Sequence, residues 1–331
     1  MVYCSSDVQG IEDIKMKYVL ITDTHFGVRN NSMIWWRSQS DFIYKQLIPH
    51  IESMEEDVVL IHLGDVFDSR SSLSTFIMTE VRKMFEDLSA VKNIKNIIVI
   101  AGNHDFYSPT SDEWSGMSLV LGNIPKVRLI IKEAMRTDDK ILFIPWYVLE
   151  KIDLKRANNC KAIFTHADIV LEPYNYKVPV FSGHVHTPYI NGNTRNLGSC
   201  YPLTFADSNQ DRYFYLWDSE SDTLTEYANE YSIKFYRVYN EEVLDFDTDN
   251  PDDYIELYIK STLISQPEYL NRIKKLQLKY KNIWLIPQPD IITESVEIES
   301  ADIETIIKHM LPKECIEKFN YIKEKVNGAS G

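Results

Sequence analysis

No stretch of the chain is apolar for the roughly 20 residues that a membrane-spanning helix needs, so a helical span is excluded. The opening segment, MVYCSSDVQGIEDIK, lacks the basic start and apolar run of a secretory leader. Cysteine is scarce: Cys4, Cys160, Cys200 and Cys315 lie far apart, without the spacing of a zinc knuckle or a disulfide framework. A reduced cytoplasmic protein is expected, in the host cytoplasm if the source is viral. Positive charge is also in deficit. With 35 Lys and Arg against 49 Asp and Glu, the net charge is −14, which excludes a protein that grips nucleic acid by its overall field alone. Internal repeats are absent, so a solenoid is excluded.

What remains is a composition that folds. At 44% hydrophobic and 25% charged residues the chain can bury a sizeable core. Its 331 residues suffice for one large domain with smaller appendages. Short β-rich apolar runs recur at Tyr18–Thr22, Val58–Leu63, Ile97–Ile100, Ile141–Ile144, Ala162–Thr165 and Val178–Ser182. Continuous runs of this length read as buried strands. Helical patterns at Trp36–Met54 and Ser74–Leu88 separate some of them, the second with plausible caps at Ser72 or Ser74. Strands alternating with helices predict a layered α/β fold. Arg212–Trp217 and Thr223–Tyr227 read as a closing hairpin.

The last hundred residues change character. An acidic loop at Asp245–Asp253 precedes a small α/β module: strand Tyr254–Lys260, helix Pro267–Lys281 and strand Ile283–Ile286. Pro287–Ser300 reads as a linker. Two amphipathic helices are expected near Ala301–Met310 and Lys313–Val326, with an apolar stripe that includes Ile306, Met310, Phe319 and Ile322.

The informative feature is where the apolar runs end. They run into Asp23-Thr24-His25, Gly64-Asp65, Gly102-Asn103-His104-Asp105, His166 and Gly183-His184-Val185-His186. In open α/β sheets that end of the strands is where ligands bind. Each piece alone reads as a turn or a loop. All five together, each after a buried-strand pattern, predict a metal site. Imidazoles mixed with carboxylates suit Mn, Fe or Zn, whereas an all-oxygen set would suit Mg or Ca. A carboxylate between two imidazole-rich half-sites can bridge two ions about 3.5–4 Å apart. His50, His62 and His309 lack this context and read as surface or packing residues.

This order of motifs resembles the calcineurin-like metallophosphoesterases. The resemblance implies a layered β-sandwich flanked by helices, with a small α/β cap and a C-terminal helical tail. It implies two divalent metal ions, manganese expected. One would be held by Asp23, His25 and His186 and the other by Asn103, His166 and His184, with Asp65 bridging. His104 would act on the phosphate or leaving group, oriented by Asp105.

Further segments are similar to the SbcD-type repair exonucleases and their T-even phage counterpart. They are Asp23-Thr-His25-Phe-Gly27, Gly64-Asp65-Val-Phe67-Asp68-Ser-Arg70, Phe143-Ile-Pro145-Trp146, and Asn196-Leu-Gly198-Ser199 with Pro202-Leu203-Thr204 and the hairpin Tyr213–Asp218. The likeness runs over roughly Lys17–Val238 by motif and further by layout. Cys200 departs from it, standing where proline usually follows Gly-Ser. Asp68 stands where some relatives have histidine and receives no role.

This resemblance implies a DNA nuclease, exonuclease on duplex ends and endonuclease on single strands, in double-strand-break repair or recombination. It would work with an SbcC-type coiled-coil ATPase and as a homodimer, with Ser74–Leu88 and a helix near Asp112–Leu121 as dimer candidates. The implied layout is an extension at 1–15, the nuclease domain at 16–238, a DNA-capping domain at 239–290, and a linker with an ATPase-binding tail at 291–331. Arg70 and the stripe Arg272, Lys275 and Lys279 are DNA-contact candidates, with Leu270, Ile273, Leu276 and Tyr280 packing inward. Two other readings stay open: a phosphoesterase acting on a small phosphodiester or a phosphoprotein, and a non-catalytic repair scaffold.

Overall fold

The computed structural model describes residues 16–108, 111–151, 159–167 and 177–289. The 1–15 extension, the two terminal helices and the stripe residues Ile306, Met310, Phe319 and Ile322 lie outside the described residues.

The apolar runs form two six-stranded sheets. The first has the order Thr223–Ala228, Tyr213–Asp218, Lys17–Ile21, Val58–His62, Ile94–Ile100, Val127–Ile130. The second has the order Tyr189–Asn191, Thr194–Asn196, Val180–Gly183, Ala162–His166, Ile141–Ile144, Met135–Arg136. The strands that end in the motifs are parallel within each sheet, with Leu20 opposite Ile61 in the first and Ser182 opposite Thr165 in the second.

Side-chain alternation explains why these runs are apolar throughout. Tyr18, Leu20, Val59, Ile61, Ile98 and Ile100 face Phe143, Phe164 and Phe181 of the other sheet in one core. Val19, Ile21, Val58, Leu60, Ile97 and Val99 face the helical layer. Leu142, Ile144, Ile163 and Val180 fill a third cluster on the far side of the second sheet. Strands buried on both faces leave no polar alternation to read.

The helix expected at Trp36–Met54 begins three residues earlier, as Met33–Asp41, and continues through a π-helical stretch at Phe42–Leu47 into Ile48–Glu52. The expected Ser74–Leu88 helix is Thr75–Ala90, capped by the Ser74 hydroxyl, which accepts from the Ile77 amide. The helix expected near Asp112–Leu121 is corrected. Ser111–Ser115 is a strand paired with Phe106–Ser108, and only Gly116–Leu121 is helical, capped by Ser115.

The three-stranded parallel sheet of Phe235–Tyr239, Tyr254–Lys260 and Asn282–Gln288 carries the helix Pro267–Lys279. Pro287 and Gln288, expected in a linker, instead complete the last strand, at an edge where a missing N–H is tolerated. Tyr269, not Leu270, joins Ile273, Leu276 and Tyr280 inside, while Leu270 is 41% exposed.

One buried ion pair pins the loop leading back to the first sheet. Arg212 donates to Asp207 at 2.6 Å with both side chains buried, and Asp207 also accepts from the Leu203 and Thr204 amides. Asp207→Ala strands the guanidinium without its carboxylate, and losing one partner of a buried pair costs about 3–5 kcal/mol. A urea melt is expected to show that loss at an unchanged slope. A loss below about 1 kcal/mol, the range of a solvated pair, would disprove the assignment.

Candidate metal centre

The five motif-bearing strand ends meet at one edge of the sandwich. Contacts between the sheets fix the meeting: the His184 amide donates to Asp23 Oδ2 at 3.2 Å, and His166 Nδ1 lies 2.9 Å from the Leu63 carbonyl. Close approach requires glycine at three places. A Cβ on Gly64 would sit 2.5 Å from the His166 ring, one on Gly102 would sit 2.2 Å from Asp65 Oδ1, and one on Gly183 would sit 2.2 Å from Thr22 Oγ1. Asp23, His25, Asp65 and His184 all have positive φ, at 51°, 44°, 53° and 80°. Each such residue costs about 1–3 kcal/mol, which the packed strands beneath must hold in place.

Asp23, His25 and His186 form one group with potential ligand atoms within 4.8 Å of each other, and Asp65, His166 and His184 form a second. Asn103 Oδ1 joins the second group, 2.9 Å from His184 Nδ1 and 3.2 Å from His166 Nε2. Asp65 faces both groups: Oδ1 is 3.3 Å from His166 Nε2 and Oδ2 is 3.7 Å from His25 Nε2. With Nδ1 of His166 directed at the Leu63 carbonyl, Nε2 is the nitrogen turned to the cluster.

The donor set fits a pair of divalent ions. Asp23 Oδ1 and both ring nitrogens of His25 are buried without a hydrogen-bond partner. Such atoms are costly in a protein interior unless something binds them. The electrostatics agree. Burial would raise the Asp23 carboxyl, yet the His166 and His25 imidazoles hold it at about 2. Burial opposes charge on His25, yet the neighbouring Asp23, Asp68 and Asp65 carboxylates lift it to about 10. His166 is likewise lifted against burial, by Asp65 and Asp23, to about 9. A site that draws protons this strongly draws cations.

Asp105 is where the expected roles need correction. Its carboxylate accepts from the amides of Val66, Phe67 and Gly102, so it holds the Asp65 loop against the Asn103 loop. Burial and then the Asp65 charge push it up to about 7. The contact that orients His104 comes from elsewhere: its Nδ1 is 2.7 Å from the Asp68 main-chain carbonyl, and its amide donates to Asp65 Oδ1.

Arg70 is half-buried, and its Nη1 has no hydrogen-bond partner. The basic stripe on the cap is not a free row of cations. Arg272 donates to the Val243 and Phe246 carbonyls, and Lys279 pairs with Asp247 at 2.6 Å, while Lys275 is exposed. His62 is a packing residue, buried and against the Thr24 hydroxyl, with its pKa pushed down to about 3 by burial.

Two site residues went unassigned in the sequence. Trp146 sets its ring 4.5 Å from His184, tilted to it, and edge-on 6.0 Å from His166, forming an apolar wall; the Ile-Pro-Trp segment was its signal. Gln39 is buried on the Met33–Asp41 helix and donates to the Thr24 carbonyl, clamping the first ligand loop. A lone polar residue on the apolar face beside Trp35 and Trp36 was the only sign of it. Cys200 also serves this loop: its N–H and S–H both reach the Thr22 carbonyl, the first of which a proline would lack.

Sheets, strand-end ligands and their order together define a metallophosphoesterase. The chain belongs to the calcineurin-like phosphoesterase family, whose profile matches residues 16–188 and so takes in all of these candidate ligands. Enzymes of this class are metal-dependent phosphoester hydrolases built around a pair of metal ions. In particular the chain is similar to exonuclease subunit 1 of Enterobacteria phage T4, 29% identical over 232 residues. That match spans 62% of this chain and 66% of the phage protein, just under two thirds of its length. Among solved structures, that of a novel archaeal phosphodiesterase is 16% identical and covers 64% of this chain and 99% of its own, with a TM-score of 0.35. No helix among the described residues is long and apolar enough to cross a membrane.

Proposed function

We propose that this chain is a manganese-dependent DNA nuclease, acting as an exonuclease on duplex ends and an endonuclease on single strands. The observation that carries the reading is the similarity to a phage exonuclease subunit, which runs for 232 residues and so beyond the 16–188 core that all phosphoesterases of the family share. In this reading Asp23, His25 and His186 would hold one ion and Asn103, His166 and His184 the other, with Asp65 shared by both groups. Bound ions would supply an activated water and charge neutralisation at phosphorus. His104 Nε2 faces the reacting phosphate, and Trp146 excludes water from the His184 side.

The relative is a subunit, and the same reading gives this chain partners. We assign the role in double-strand-break repair or recombination to a complex with an SbcC-type coiled-coil ATPase. Ile306, Met310, Phe319 and Ile322 of the tail would be its contact, and the 239–290 module would cap the DNA. A homodimer would form through the Thr75–Ala90 and Gly116–Leu121 helices, where Phe76 and Leu119 are exposed. With Arg272 bound to main-chain carbonyls, Arg70, Lys275 and the surface-paired Lys279 would be left of these candidates for phosphate contact.

The test compares linear duplex DNA with a nitrophenyl phosphodiester, each with Mn, Mg, Zn or chelator. Shortening of duplex DNA from its ends with Mn is the expected result. Turnover of the small diester with intact DNA would favour a small phosphodiester or phosphoprotein as substrate. Metal binding without either turnover would make the chain a scaffold.

A further inference from the structure

The geometry points to Asp68 as the residue that selects which nitrogen His25 and His104 present to the reaction, the first through its side chain and the second through its main chain. The inference rests on the reading of His25 as a metal ligand. An imidazole ligand gives one nitrogen's lone pair to the ion only if the other nitrogen carries the proton, and that N–H needs an acceptor. The two ends of the His25 ring lie in different surroundings. Its Nε2 is 3.7 Å from Asp23 Oδ1 and 3.7 Å from Asp65 Oδ2, among the other ligand atoms. Its Nδ1 points the other way and has no hydrogen-bond partner; Asp68 Oδ1, at 3.5 Å, is the carboxylate that faces it. A ring with only 2% exposure cannot take that acceptor from bulk water. At 3.5 Å the contact is long for a hydrogen bond, as contacts in a site without its bound partner often are before they tighten.

The same residue's carbonyl lies 2.7 Å from His104 Nδ1, which sets that nitrogen as the donor and leaves Nε2 directed outward. The two rings meet edge to face with centroids 4.9 Å apart. Asp68 therefore orients a metal ligand and the phosphate-facing imidazole from one position. Only the first of these roles depends on its side chain.

His25, Asp68 and His104 also bring potential ligand atoms within 4.8 Å of one another, so a third cation is the competing occupant. His104 Nε2 would remain for such an ion, so the number of ions bound decides between the two.

The test uses the full chain as wild type, Asp68→Ala and Asp68→Asn. Mn is titrated calorimetrically, and the zinc-loaded forms are read by histidine ¹⁵N NMR. Wild type is expected to bind two ions, with the His25 proton on Nδ1. Asp68→Ala is expected to weaken one ion by about 10–100-fold, leave the other, and lose the single His25 tautomer. Asp68→Asn keeps an acceptor oxygen without the charge and is expected to restore both the tautomer and most of the affinity. Two ions bound to Asp68→Ala at wild-type affinity would overturn the inference. So would a third ion that Asp68→Ala removes, or an Asp68→Asn protein as weak as Asp68→Ala. A wild type that binds no metal would instead sink the metal-site reading itself, and the inference with it.

Discussion

Alanine at Asp65 is expected to leave a folded protein that binds neither ion tightly and turns over a phosphodiester about 10³-fold more slowly. Asp65 turns its two oxygens to different groups, Oδ1 to the His166 side and Oδ2 to the His25 side. Its removal also takes away part of the negative field that lifts both imidazoles. Gly102 leaves the room that this carboxylate fills, since a Cβ there would sit 2.2 Å from Asp65 Oδ1. The local fold has a second support, because Asp105 still ties the amides of Val66, Phe67 and Gly102 together. Calorimetric titration with Mn, turnover of a nitrophenyl diester and a thermal melt on the same preparation check the three parts. Two ions retained at wild-type affinity would show that Asp65 does not bridge.

The residues behind this result were legible in the sequence because their chemistry and their place coincide. A buried run such as VVLIH announces a strand without alternation, and Gly-Asp directly after it marks an edge. What the sequence hid were contacts made by the main chain. Asp105 adjoins His104 and was expected to orient it, but a side chain that follows a tight turn can point back to the turn's own amides, and this one does. The oxygen that holds His104 belongs to the Asp68 carbonyl, and no residue type encodes a carbonyl. Arg272 fails as a surface cation for a related reason. Periodicity places it on the polar side of its helix, yet that side meets the exposed carbonyls of Val243 and Phe246 at the end of a short helix. Leu270 and Tyr269 differ by one position, about a quarter of a turn, which pattern reading cannot resolve when both are apolar enough to be buried. Asp112–Ser115 was assigned to a helix that starts only at Gly116, because the Ser115 cap lies inside the polar run rather than before it.

His104→Asn is expected to separate binding from chemistry. The substitution leaves the main-chain link from the His104 amide to Asp65 Oδ1 at 2.8 Å, so the carboxylate between the two groups keeps its position. His104 belongs to neither the Asp23, His25 and His186 group nor the Asp65, His166 and His184 group. Metal titrations of the variant should therefore match wild type in number and affinity, and so should binding of DNA in the presence of a metal that does not support cleavage. Turnover should not. With Nδ1 directed at the Asp68 carbonyl, the imidazole presents Nε2 from a half-buried position beside the cluster, where it can donate to a phosphate oxygen or to the departing alkoxide. Asparagine is shorter and cannot exchange a proton near neutral pH, so the loss should be that of a general acid, about 10²–10⁴-fold. A good leaving group needs no acid, which gives a second reading of the same variant. The deficit should shrink on a nitrophenyl diester relative to DNA if His104 protonates the leaving oxygen, and should stay equal if it only stabilises charge on the phosphate. Cleavage of DNA at the wild-type rate would remove His104 from the chemistry, and loss of an ion would make it a ligand.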